Sequence, residues 1–281
     1  MKIGILGPAG TFTEAVAINH NPQGETIPFD TISKVFQAVN NNLVEEGVVP
    51  IENILNGHVI ETLDCLNLND KIKIIKCLIL PIKQSLVGMQ NTIIDNSKIE
   101  KIISHPQALA QCSKYLEEKF PNAKKEKIES TANAIRFVSE NKLKNILAIG
   151  TELAAKKYGL KVIERDISND NSNKTMFAVI SKKTSTKVEK NRTSMVINPN
   201  FDRPGLLRDI LGAFADNEIN LEMIQSRPAG KGKYLFYIDV VGHPDDSKLK
   251  KAFETIQIKL NTDFKKIVKI LGSYPYVSLA N

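Results

Sequence analysis

Residues 175–197 read TMFAVISKKTSTKVEKNRTSMVI, and they divide the chain. An apolar strand at 175–181 runs into a polar stretch, 182–191, whose one large apolar side chain is Val188. Such a stretch reads as a linker. A second apolar strand, 193–197, follows it. The reading therefore places a first region over 1–183, a linker over 184–191 and a second domain over 192–281. Before the linker, strands at 2–6, 26–29, 47–51, 99–104, 146–150, 161–165 and 175–181 alternate with helical segments at 11–19, 31–40, 106–119, 131–141 and 152–158. Residues 72–87 form one long extended stretch with Pro81 near its middle. The alternation predicts an α/β region with largely parallel strands, whose ligands sit where loops leave the carboxyl ends. After the linker the pattern changes. A helix over 204–216 carries Leu206, Leu207, Ile210, Leu211 and Phe214 on one face. Strands at 219–226 and 234–242 are joined by a turn at 228–232. A helix over 247–260 and a strand over 266–271 complete a βαββαβ order, a ferredoxin-like unit.

Composition narrows the possibilities. Hydrophobic residues make up 42% of the 281 and charged residues 25%, ordinary for a globular chain. No apolar run approaches the roughly 18 residues of a membrane span. The first apolar run is broken at once by Gly7-Pro8-Ala9-Gly10, which argues against a signal peptide and for a cytoplasmic protein without a membrane partner. The net charge of +7 comes mostly from lysines interleaved with acids, as in KKEKIE at 124–129, and only 6% of residues are aromatic. That pattern reads as a solvated basic surface and not as a nucleic-acid face. Cys65, Cys77 and Cys112 are scattered without metal-ligand spacing and read as small buried thiols.

Five segments look unlike scaffold. Gly7-Pro8-Ala9-Gly10-Thr11-Phe12-Thr13-Glu14 joins a strand to a helix, where glycine permits close approach and helix N–H groups face an anion. Val49-Pro50-Ile51-Glu52-Asn53-Ile54 puts a carboxylate and an amide directly after an apolar strand. Ser104-His105-Pro106-Gln107 opens a helix that carries Gln111. Glu129-Ser130-Thr131-Ala132-Asn133 opens another. Asn173-Lys174-Thr175-Met176-Phe177 begins a strand. Helix capping and ordinary loop polarity are the structural alternatives for each.

In their order and spacing, these segments resemble the prephenate dehydratases. That family carries a GPxGT-type loop, P-[IV]-E-N-S, SHPQ…Q, ST-[AS]-x-A and N-x-T-R-F. The second domain resembles the family's regulatory ACT domain through Thr193-Ser194, Arg203-Pro204-Gly205-Leu206-Leu207, Ile219-Asn220-Leu221, Ser226-Arg227-Pro228 and Leu271-Gly272-Ser273-Tyr274-Pro275. Four positions depart from the family pattern. Ile54 replaces a serine, Met176 the arginine of T-R-F, Gln225 the glutamate of E-S-R-P, and Leu206 an alanine.

The resemblance implies a two-lobed, periplasmic-binding-protein-like catalytic region, with lobes of about 1–75 plus 167–181 and 76–166. It also implies a reaction without a cofactor, in which prephenate loses carbon dioxide and its ring hydroxyl to give phenylpyruvate. By resemblance, Thr175 hydrogen-bonds the leaving hydroxyl; of the other two catalytic candidates, Asn53 adds a neutral hydrogen bond to the substrate and Glu52 takes an orienting role or is partly protonated. Gly10, Thr11, Ser104, Gln111, Ser130 and Thr131 bind the dianion, and Met176 stands in for a residue that positions substrate or stiffens the site. L-Phenylalanine is the implied effector, held by Gly205, Leu206, Leu207, Asn220, Leu221, Gln225, Ser226 and Arg227 in a homodimer or homotetramer. The competing readings are a non-aromatising prephenate decarboxylase, an arogenate dehydratase and a non-catalytic amino-acid sensor.

Overall fold

The computed structural model describes residues 1–90, 96–230 and 232–279. Residues 91–95 of the expected second lobe, Lys231 of the expected turn and 280–281 of the expected second domain lie outside the described residues. Among the described residues, the strands form one sheet of eleven and one of five. The smaller sheet runs Lys161–Glu164, Ser85–Gly88, Ile146–Gly150, Lys101–Ser104, Lys124–Lys127. In the larger, the catalytic-region order is Lys73–Pro81, Lys174–Ser181, Glu46–Asn53, Lys2–Leu6, Glu25–Phe29. The expected mostly parallel arrangement holds on one side of each lobe's sheet, where Lys2–Leu6 and Lys101–Ser104 each pair in parallel with both neighbours. It fails along the crossing strands. Lys174–Ser181 lies antiparallel between Glu46–Asn53 and Lys73–Pro81, and Ser85–Gly88 is antiparallel to both of its neighbours. One strand of each crossing pair leaves its lobe as the other enters it, so opposed directions follow from the connectivity.

The lobe borders shift accordingly. All of Lys73–Pro81 belongs to the larger sheet, so the first lobe extends past 75 to Pro81. Ile167 packs in the second lobe's core, so re-entry begins at Lys174 and not at 167. The long extended stretch 72–87 is thus two strands in two sheets, divided at 82–84.

Local chemistry explains most helices. Thr11, Thr31, Ser130 and Thr151 each cap a helix by accepting a backbone N–H three residues on. The segment expected as one helix over 106–119 is two, Pro106–Gln111 and Ser113–Lys119, broken where Cys112 leaves helical geometry. The helix Ile60–Leu68 was not anticipated, and neither were the strands Lys124–Lys127 and Tyr276–Ser278. The sequence KKEK of the second has no apolar alternation to reveal it. None of the described helices is long and apolar enough to cross a membrane.

The second domain has the expected βαββαβ order, with sheet order Leu221–Pro228, Tyr234–Val241, Arg192–Ile197, Val268–Tyr274. Two helices, Leu206–Ala215 and Ser247–Leu260, cover one face, burying Met195, Ile197, Phe236, Ile238 and Val240. The other face, with Val196, Met223, Tyr237, Leu271 and Tyr274, shares one core with Val35, Phe36, Leu63, Leu66 and Ile74 of the first lobe. The two sheets also merge edge to edge. Gly272 lies opposite Ile74, and Tyr276–Ser278 pairs with Lys73–Pro81. A Cβ at Gly272 would sit 2.3 Å from the Ile74 carbonyl oxygen, so only glycine permits this approach.

Candidate active site

A cleft of about 370 Å³ separates the two lobes. Its walls are loops leaving the carboxyl ends of Lys2–Leu6, Glu46–Asn53, Lys101–Ser104 and Lys124–Lys127, the position α/β topology favours for a ligand. Thr11, Asn53, Gln111, Ser130, Thr131 and Thr175 all line it. Thr11, His105 and Ser130 each cap a helix there, so three helix N-termini border one space. Their partial positive ends favour an anion. The lining contains no lysine or arginine and one carboxylate, Glu129.

Thr175 and Asn53 are paired across adjacent strands. Asn53 Nδ2 donates to Thr175 Oγ1 at 2.9 Å and to Asn173 Oδ1 at 2.9 Å. The amide is itself held from behind, because Asn53 Oδ1 accepts from the backbone N–H groups of Leu55 and Asn56 at 3.2 and 3.1 Å. One lone pair of the Thr175 hydroxyl is therefore engaged by a fixed donor. Its own proton is left to point elsewhere, and Thr175 lines the cleft. This arrangement makes the threonine a hydrogen-bond donor to whatever occupies the cleft. Asn173, nearly buried and two residues before Thr175, lies on the same strand face, a signal the strand period offered.

Three residues expected in the site sit elsewhere. Ser104 is fully buried and its Oγ donates to Ile149 O at 2.7 Å, so it braces the smaller sheet. Gly10, at φ +90°, donates its N–H to Glu14 Oε2 at 2.5 Å, and its carbonyl accepts from Thr151 Oγ1 at 2.6 Å. Its N–H is thus committed, and a Cβ would meet that of Ala154 at 2.8 Å. Gly10 is a point of close contact between lobes. Beside it, Glu14 is buried, which raises its pKa, but bonds from Gly10, Lys157 and Thr26 more than offset that and hold the carboxyl below its ordinary range. Glu52 lies opposite Met176 in the ladder, on the strand face away from Thr175 and Asn53. Its carboxylate lies 4.0 Å from His58 Nδ1.

Met176 likewise faces away from the cleft. Its sulfur receives Arg192 Nη1 of the second domain at 3.4 Å. Arg192 is buried, hydrogen-bonded to Glu222, 3.6 Å from Asp239 Oδ2, and 5.2 Å from the centroid of the Tyr276 ring. Met176 is not part of the cleft lining. Ile54 is exposed and Lys174 lies outside the lining.

In the second domain, Gly205, Leu206, Leu207 and Ser226 line a recess of about 360 Å³ together with Arg203 and Tyr234. Gly205 has φ +79° at the start of its helix. Arg227 and Gln225 face the opposite side of their strand, toward the first lobe: Arg227 Nη2 meets Asp64 Oδ2 at 2.8 Å, and Gln225 lies opposite Tyr237, whose hydroxyl also reaches Asp64. Asn220 and Leu221 are outside this recess as well. Leu221 packs under the helices.

Comparison with known proteins agrees with this architecture. The family model described as prephenate dehydratase matches residues 3–185, and the ACT domain model matches 200–256. A prephenate dehydratase of Methanocaldococcus jannaschii is 40% identical over 250 residues, covering 88% of this chain and 86% of that one. That of Bacillus subtilis is 34% identical over 285 residues, covering 98% of each. The crystal structure of prephenate dehydratase from Arthrobacter aurescens in complex with L-Phe superposes with a TM-score of 0.87 at 31% identity, covering 98% of this chain and 90% of that chain. With its first 185 residues matched almost throughout and its two-lobed cleft built from the motif segments, this chain belongs to the prephenate dehydratase family.

Proposed function

We propose that the cleft converts prephenate to phenylpyruvate, with loss of carbon dioxide and water. The observation that carries this is the Asn53–Thr175 hydrogen bond at the wall of an interlobe cleft bordered by helix N-termini. Prephenate is a dianion. Ser130 and Thr131 offer hydroxyls, and the helix ends, including the one capped by Thr11, add partial positive charge without a full cation. The reaction breaks the ring C–C bond to the carboxylate and the C–O bond to the hydroxyl, and the electron pair from the first completes the aromatic ring. The departing hydroxide takes a proton from solvent and leaves as water. Aromatisation drives the change and no redox partner is needed. Thr175, with its oxygen held by Asn53, donates to the oxygen on which charge develops, and Gln111 lines the same cleft.

The recess at Gly205, Leu206, Leu207 and Ser226 takes L-phenylalanine as effector in this reading, supported by the ACT match and by the L-Phe in the Arthrobacter aurescens relative. The neighbouring strand Leu221–Pro228 ends the eleven-stranded sheet and exposes Ile224. An edge of that kind favours pairing with a second copy, as a homodimer or homotetramer. We place the enzyme in the cytoplasm, acting without a cofactor.

Product analysis tests the proposal. Purified protein incubated with prephenate should yield phenylpyruvate, seen by its ultraviolet absorbance in base and by mass. A non-aromatic product would instead indicate a decarboxylase that keeps the hydroxyl, and no turnover would indicate a sensor. Parallel turnover of arogenate ranks the two substrates by kcat/KM.

A further inference from the structure

The chain crosses between lobes twice, and the outgoing crossing carries a side chain that no motif singles out. Ile82 N donates to Asn173 O at 2.9 Å, and Ile167 N donates to Gln84 O at 3.0 Å, so the two crossings are bonded to each other. Gln84 lines the cleft and is only 3% exposed. Its carboxamide oxygen Oε1 has no hydrogen-bond partner among the described residues. A shielded acceptor without a donor is costly, and leucine, of similar volume, would fill the same space without that cost. An amide retained in such a place points to a donor that arrives with the ligand.

The substrate proposed above identifies that donor, and the inference rests on that reading. The two carboxylates and the keto group of prephenate only accept hydrogen bonds. Its ring hydroxyl is its one donor. We infer that Gln84 is a substrate-contacting residue whose carboxamide oxygen accepts the hydrogen bond of the ring hydroxyl. The hydroxyl proton then points to Gln84 while the oxygen lone pairs remain for Thr175, which orients the leaving group before the C–O bond breaks. As that bond breaks, the oxygen gains negative charge and its O–H becomes a poorer donor. The contact is therefore at least as strong in the ground state as in the transition state, and it acts mainly on KM.

The test uses Gln84→Leu in the full-length chain, with Gln84→Met as a second amide-free variant should leucine fail to fold. KM for prephenate should rise about three- to tenfold, as for loss of one neutral hydrogen bond, with a smaller fall in kcat. The melting temperature should be no lower than that of the parent, because the amide oxygen has no partner to lose among the described residues. Product inhibition by phenylpyruvate, which lacks the hydroxyl, should keep its inhibition constant. Equal weakening of prephenate and phenylpyruvate would set Gln84 against the pyruvyl group the two share and overturn the assignment. A lowered melting temperature with unchanged KM would make Gln84 structural. A parent inactive on prephenate sinks the substrate reading and this contact together, whereas an active parent with an indifferent Gln84→Leu sinks the contact alone.

Discussion

At the scale of single residues, the cleft divides motif positions into those that touch its space and those that hold it. Thr175 and Asn53 belong to the first kind and act as a unit, since the amide fixes which way the hydroxyl donates. Thr175→Ala should lower kcat by about 10²–10³ with little change in KM, the usual consequence of removing a preorganised donor. Asn53→Ala should cost nearly as much, because a threonine with no fixed partner can turn its proton to Asn173 or solvent. The double variant should then be scarcely worse than Thr175→Ala, and steady-state rates of all four proteins measure this. Fully additive losses would show that Asn53 acts independently of the hydroxyl. Ser104 and Glu52 belong to the second kind. Their motif neighbourhood was legible in the sequence, but their orientation was not. Ser104 is the last residue of a strand whose hydroxyl finds a carbonyl in the adjacent strand, a partner 45 residues away. Gln84 gave no signal at all, because it lies in a crossing whose two halves the sequence does not separate.

At the scale of the element, the strand Lys174–Ser181 faces two ways: Thr175 and Phe177 line the cleft, and Met176 meets the second domain. The period-two rule was available from the sequence and correctly sets Thr175 apart from its neighbours. What lay behind the strand was not available, since Arg192 is 16 residues away across the linker and folds back against Met176 only when the sheets merge. Met176, expected to replace a residue that positions substrate or stiffens the site, meets Arg192 and does not line the cleft. Met176→Arg should leave KM for prephenate within about twofold, because the side chain does not reach the substrate. It should instead destabilise the protein by about 1–3 kcal/mol, since a longer side chain enters a packed seam already holding one guanidinium. Combining it with Arg192→Met, which moves the guanidinium from one side of the contact to the other, should recover much of the loss. Thermal melts and prephenate kinetics on the three variants check both statements. A large KM change in a stable Met176→Arg would restore the residue to the cleft.

At the scale of the whole molecule, the regulatory sheet is an extension of the catalytic one, and the seam between them buries charge. The βαββαβ order was legible from periodicity, whereas the docking of its second face on the first lobe was not, because Val196, Tyr237 and Tyr274 read equally well as ordinary interior positions. At that seam Asp239 is 4% exposed, and its Oδ1 has no hydrogen-bond partner among the described residues. Burial pushes its carboxyl from the ordinary 3.8 up to about 6; Ser194 and Arg192 pull it down, but Glu52 and Glu222 push the same way as burial. The sign of the consequence follows. Below pH 4 the group is protonated in both folded and unfolded chains and costs nothing. As pH rises to about 6, the unfolded chain releases the proton first, so folding loses stability across that window, by roughly 3 kcal/mol for a shift of about two units. Asp239→Asn removes the titration, at the expense of one counter-charge for Arg192, which keeps Glu222. Below about pH 6 the folded carboxyl is protonated and gives Arg192 no counter-charge, and above it the attraction to Arg192 is already part of what sets that value. The variant's melting temperature relative to the parent should therefore rise between pH 4.5 and pH 7.5, whatever its offset at the lower pH. A gap that stays constant across this range would mean that Asp239 ionises at an ordinary pH, with Arg192 close enough to cancel its burial. A gap that widens would mark the seam between the two sheets as strained at neutral pH.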